Sequence, residues 1–305
     1  MSASRKPLAL LSADRLRAVA LALRQDVGSF DAITDPDSAL VELVNEQFAS
    51  IPEAEERLTL LERRLRDRGD RRAVFLSIYV RMTRQVRDEL GGDRFANPKW
   101  MRQYLLTFVE YYRRAFLAYE QGRVGAVPNP WRIAFGTAIR GDSLVLQDAF
   151  LGVNAHINYD LALTIRDIGI DSDRHEKYRD HARINAILGQ LVDAQQTMLA
   201  NLYAGGIDEI DAALGRLDET FTLISMTEGR EQAWRMAVVL TDFGWQPIRG
   251  AATRFLNLTA TGGALFILSP SLYSTVLADL RRIEQDQFDP AEIIDRFYKK
   301  AVDWQ

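Results

Sequence analysis

The sequence predicts an all-α fold, a single-domain, mostly antiparallel helical bundle of roughly ten helices over residues 1–305. Three observations lead there. Five of the nine prolines stand directly behind a residue that can cap a helix, which puts proline at the first helical position. Between these starts, apolar residues recur at three- and four-residue spacing. Alternating strand runs bounded by turns are scarce, no segment repeats at a fixed period, and no Pro/Gly/Ser-rich linker divides the chain.

Taken in order, residues 1–30 are expected to form a peripheral N-terminal helix. Asp35-Pro36 opens the run DSALVELVNEQFASI. Pro52 opens the next, with Leu58, Leu61 and Leu65 on one face and Gly69 as its stop. A helix carrying Val74, Phe75, Ile78, Met82 and Val86 follows. Asn97-Pro98 starts a long aromatic helix whose Tyr104, Phe108, Tyr111, Tyr112 and Phe116 are most simply core, and Asn129-Pro130 starts a shorter one. Asp142 or Ser143 can cap a helix running to about Ile168, and Asp171 or Ser172 one running to about Gly205. IDEIDAALGRLDETFTLISM and GREQAWRMAVVLTDFG read as two more. Ser269-Pro270 and Asp289-Pro290 start the last two.

Composition narrows the function. The net charge of -4 gives neither the broad basic field that nucleic acid needs nor a polybasic membrane footprint. With no cysteine, disulfides, zinc fingers, Fe–S clusters and thiol catalysis are excluded. The start reads as no signal peptide, and GGALFIL is too short to span a bilayer. The expectation is a cytoplasmic protein with a small-molecule ligand, without nucleic acid and without membrane insertion.

The segment GVNAHINYDLAL carries the chemistry. At about 100° per residue, Asn154 and Asn158 lie together with Gln147 in the middle of an apolar face. His156 and Asp160 form a second stripe nearly opposite. A buried amide without a partner costs about 1–3 kcal/mol, so either the asparagines belong to a structural network or they orient the polar end of a ligand. His156 and Asp160, one turn apart, suit an ion pair, a carboxylate-oriented histidine or a pair of metal ligands. Of the three histidines, His181 sits above Asn185 on the following helix. In an antiparallel hairpin turning near Gly169, Asp160 would come level with His181, and His156 with Asn185. LTDFGWQPIRG puts Asp242, Trp245 and Arg249 beside a helix break, where one of them could border a pocket.

WRIAF at Trp131, GVNAHINYDLAL, and RINAIL at Arg183 together resemble a prokaryotic domain family of unknown function. Its mark is Gly-Met-Asn-Ala-His-Ile-Asn-x-Asp-Leu-Pro followed by Arg-Val-Asn. Val153 replaces the methionine here, and Ala162 the proline. The likeness covers roughly residues 93–202. It implies that Asn154, His156, Asn158, Asp160 and Asn185 belong together, with Trp131 as a further ligand-binding candidate. It implies no activity. A fainter likeness is to the all-helical zinc phospholipase C and single-strand nuclease group, whose His-x-x-x-Asp pairs sit on helices. This chain lacks their many histidines, so at most one divalent metal ion could be built, from His156, Asp160, His181 and Asp148.

Three function classes follow. The first is a metal-assisted hydrolase with His156 and Asp160 as catalytic residues. The second is a non-catalytic protein binding an apolar or amphipathic small molecule. The third is a scaffold in which the polar cluster only holds helices together.

Overall fold

A computed structural model describes residues 12–32, 35–92, 94–203, 226–268 and 281, 282 and 284, with only the backbone course given for 189–203 and 226. The described residues are helical and contain no strand, as the all-α expectation requires. The elements are α1 (Ala13–Arg24), α2 (Ser38–Val44), α3 (Ile51–Arg66), α4 (Arg72–Glu89), α5 (Pro98–Glu120), α6 (Asn129–Arg140), α7 (Val145–Ala155), α8 (Leu161–Ile168), α9 (Arg174–Tyr203), α10 (Met226–Asp242) and α11 (Gln246–Leu268). The helices expected from IDEIDAALGRLDETFTLISM, Ser269-Pro270 and Asp289-Pro290 lie outside the described residues.

Local chemistry explains where most helices begin and end. Ser50 caps α3 by accepting from the Glu53 amide, and the Glu53 carboxylate reaches back to the Ala49 amide. Asn97 caps α5 through the Trp100 amide. Gly69 takes a left-handed φ of 69° after α3, the conformation a stop there requires.

Five boundaries differ from expectation. Asp37, not Asp35, caps α2, and that helix ends at Val44 instead of running on to Ile51. Asn129 lies inside the first turn of α6, with Pro128 at the cap position. Neither Asp142 nor Ser143 caps α7, because the Ser143 hydroxyl goes to Asp148 and the Gln147 side chain takes the Leu144 amide instead. Before α9, Ser172 and Asp173 both adopt a φ of 55°, so that helix begins at Arg174.

The expected single α-helix to Ile168 is interrupted. Residues His156–Asp160 form a π-turn between α7 and α8, and the Leu161 amide donates to the His156 carbonyl five residues back. Such wide turns hold one residue more than an α-turn and tend to occur at functional sites. The α7–π–α8 rod is buried on nearly all sides. It packs against α4, α5 and α6 on one flank and α10 and α11 on the other. Gly152, one turn before His156, permits the approach to α4, since a Cβ there would fall 2.2 Å from the Phe75 ring.

The hairpin register expected for α8 and α9 is corrected by this packing. α8 makes its main contacts with α5 and α10, and α9 meets α4 and α10. At the other end, α1 lies along α11, where Gly262 leaves room for the backbone of Ala18. Helix α11 has 23 residues and is long and apolar enough, by length and composition, to cross a membrane, which the short GGALFIL run does not convey. Here its Leu256, Ala260, Ala264 and Leu265 are buried in the protein.

Candidate functional site: a histidine in an aromatic chamber

His156 is 2% exposed and enclosed by rings. Phe108 of α5 stacks on the imidazole at 3.6 Å between centroids, and Tyr79 of α4 meets it edge-on at 4.5 Å. Phe75, Tyr112 and Trp131 complete the enclosure. The long aromatic helix is therefore core, as its spacing implies, and part of it also walls this chamber. Tyr111 is the exception: it is half-buried and donates to Asp167.

A relay fixes the imidazole. His156 Nδ1 is 2.9 Å from Asp160 Oδ2, and Trp131 Nε1 donates to the same oxygen at 2.8 Å. With Trp131 already donating to that oxygen, the carboxylate acts as acceptor and the imidazole carries its proton on Nδ1. Burial holds the His156 pKa below its ordinary value, against the opposing pull of Asp160. Burial likewise pushes Asp160 up, opposed by its bonds to His156 and Trp131. The ring is thus a neutral imidazole whose Nε2 lone pair points away from the relay.

That Nε2 has no partner, and it is not alone. The Tyr79 and Thr83 hydroxyls, one turn apart on α4, are also buried, within reach of each other and of no further partner among the described residues. All three residues line one cavity of about 40 Å³, whose walls are otherwise apolar and aromatic side chains, Phe75, Tyr104, Leu105 and Phe108 among them, together with Arg230. Burial raises the Tyr79 pKa well above the ordinary phenol value, so the hydroxyl keeps its proton. The residues around the chamber thus carry one open acceptor nitrogen and a pair of hydroxyls, set behind walls whose accessible surface is apolar.

The two asparagines sit elsewhere. Asn154 is buried, and its Nδ2 donates to the Ala260 carbonyl of α11 at 2.8 Å. Asn158 is half-buried, and its Nδ2 donates to Asn154 Oδ1 at 3.0 Å. Glycines on the neighbouring helices make room for them: a Cβ at Gly263 would fall 2.6 Å from Asn154 Oδ1, and one at Gly229 would fall 2.7 Å from Asn158 Oδ1. The amides bond to helices α7 and α11 and do not line the chamber. These bonds form the helix-joining network, one of the two expectations for the pair.

His181 and Asn185 come together through a residue the sequence reading passed over. Arg230 of α10, 2% exposed, donates to Asn185 Oδ1 and to the His181 carbonyl, both at 2.7 Å. The His181 ring is occupied on both sides, with Nε2 at 3.1 Å from the Arg230 carbonyl and Nδ1 at 3.0 Å from the Tyr104 hydroxyl. Burial, reinforced by the Arg230 charge, holds its pKa well below the ordinary value. Asp148 belongs to a third cluster. It accepts from Arg71 at 2.6 Å and from the Ser143 hydroxyl, and burial pushes its pKa up to about 6.

His156, Asp160, His181 and Asp148 thus divide among three separate hydrogen-bonded groups. Among the described residues, no three His, Asp or Glu side chains gather into a set that could hold a metal ion. The GREQAWR run held one available signal for Arg230, an arginine at helical spacing among apolar residues. Tyr79 and Thr83 gave none beyond membership of a core helix.

No curated protein and no solved structure matches the chain. The match to a family model is wider than the motif region, reaching from α3 to the end of α11. That model is described as a family of unknown function (DUF5995), it covers residues 51–270, and the chain belongs to that family.

Proposed function

We propose that the chamber at His156 binds a small amphipathic molecule by its hydroxyl end. The observation that carries this reading is that one small cavity is lined by three residues with buried polar atoms, the open His156 Nε2 and the Tyr79 and Thr83 hydroxyls, which have at most each other. Each such atom costs about 1–3 kcal/mol if nothing meets it. A core built for stability alone would carry apolar groups at these positions. A hydroxyl donating to His156 Nε2 and exchanging hydrogen bonds with Tyr79 and Thr83 satisfies all three.

At about 40 Å³ the cavity takes a polar head or a water or two, not a whole drug-sized molecule. Met82 is the half-buried member of its wall, and a flexible thioether there suits the passage of an apolar tail. The His156–Asp160 relay also lets Nε2 take a proton from a bound hydroxyl or water, which is the chemistry of a general base. Hydrolysis assisted by a metal has no comparable support, because the expected ligands are engaged in separate clusters.

Titration with 1-hexanol and 1-octanol, against hexane as the matched apolar probe, tests the reading by calorimetry and thermal shift. Saturable binding of the alcohols with a clear preference over hexane is expected, and Tyr79→Phe/Thr83→Val should lower that preference at least tenfold. Equal binding of alcohol and alkane, or an unchanged preference in the variant, would remove the basis for the reading.

A further inference from the structure

A second cavity opens on the other side of the π-turn. Tyr159, three residues after His156, lies not in the chamber but in a cleft of about 690 Å³ between the start of α6, the turn itself, α8 and the first half of α11. Its lining includes Arg166, Arg249 and Arg254, with Asn129, Thr253 and Asn257 between them, and contains no aspartate or glutamate. Arg166 is held by Asp167 and the Tyr111 hydroxyl. Among the described residues, the Arg249 and Arg254 side chains make no hydrogen bond or ion pair; Arg249 is half-buried and Arg254 exposed. In a chain whose net charge is -4, the Arg249 and Arg254 guanidinium groups, with no acid paired to them among the described residues, make a local field of the opposite sign beside the Arg166–Asp167 pair.

We propose that this cleft binds a phosphate-bearing ligand. Guanidinium forks match the oxygens of a phosphate in pairs, and two that no acid neutralises answer more charge than one carboxylate carries. The asparagine and threonine side chains supply neutral donors, and the Tyr159 ring and Leu258 supply an apolar wall for an organic group. The volume suits a small phosphoester. Beside the cleft, at the start of α11, Trp245 is 68% exposed and Phe243 is 48% exposed. The phosphate can therefore belong to a soluble ester or to an anionic lipid headgroup whose bilayer receives those two rings.

The test uses the full chain and Arg249→Gln/Arg254→Gln, with both single variants alongside and equal unfolding curves as the control for folding. Phenyl phosphate, benzoate, and phosphatidylcholine vesicles with or without phosphatidic acid are the probes. Either phenyl phosphate or the anionic vesicles should bind saturably, with a loss of at least tenfold in the double variant and a smaller loss in each single one. Phenyl phosphate binding assigns a soluble ester. Binding to anionic vesicles alone, with a blue shift of Trp245 emission, assigns a headgroup. The proposal is overturned if neither probe binds, if benzoate binds as tightly as phenyl phosphate, or if the double variant binds like the wild type.

Discussion

His156 and His181 are both buried, but they differ in what their ring nitrogens meet. His181 has both engaged, which is the pattern of a structural histidine, whereas His156 has one fixed and one open. Both are held below their ordinary pKa, near 6.5, chiefly by burial. The unfolded chain therefore binds these protons more readily than the folded one. Their contribution to stability is present in full above pH 6.5 and is lost as the pH falls below it. Asp148 runs the other way: its pKa is raised to about 6, so its contribution is present below the unfolded value near 3.8 and lost as the pH rises through 6. In urea unfolding between pH 7.5 and 5, His156→Phe should lose less stability than the wild type; an identical pH dependence would mean that His156 titrates freely in the folded protein.

The amides make an ordered pair of predictions at the same scale. Asn154→Ala removes the bond to Ala260 and strands Asn158, and should cost about 1–3 kcal/mol. Asn158→Ala removes one bond from a half-buried side chain and should cost less. Chemical denaturation of both variants checks the order. The sequence made this pair legible, because an i, i+4 spacing on an apolar face leaves few places for an amide to go. It did not make their partners legible, because Ala260 offers only its carbonyl and Gly229 and Gly263 contribute only the absence of a side chain.

At the scale of elements, the π-turn separates two chemistries that a single helical wheel already placed on opposite stripes. Asn154 and Asn158 face α10 and α11, while His156 and Asp160 face α4, α5 and α6. The wide turn itself left no trace in the sequence, since the i, i+4 pairs that mark it occur equally in an ordinary helix. The hairpin register was misjudged because short loops suggest adjacent helices, whereas here α10 packs on α8 and carries the Arg230 that binds His181. Gly263→Ala tests the close approach that seats Asn154. Its Cβ would fall 2.6 Å from Asn154 Oδ1, so the variant should lose about 1–3 kcal/mol, read as a lower denaturation midpoint. Gly244→Ala, which meets nothing within 4 Å, should leave the midpoint nearly unchanged.

For the whole molecule, the family of unknown function and the helical fold restrict the chemistry less than two cavities do, one on either side of the α7–π–α8 rod. The inner chamber carries unpartnered polar atoms at a cost in stability that a purely structural core would not retain. Tyr79→Phe/Thr83→Val removes two hydroxyls that have at most each other, and should therefore leave the unfolding free energy unchanged or raise it while weakening alcohol binding. A loss of stability would show that the hydroxyls are already satisfied. The most direct test is the ¹⁵N spectrum of the His156 ring at neutral pH, with and without 1-hexanol. The account predicts a neutral imidazole protonated on Nδ1, with an Nε2 resonance that shifts as the alcohol donates to it. A proton found on Nε2 in the unliganded protein, or an Nε2 signal that ignores saturating alcohol, would contradict it.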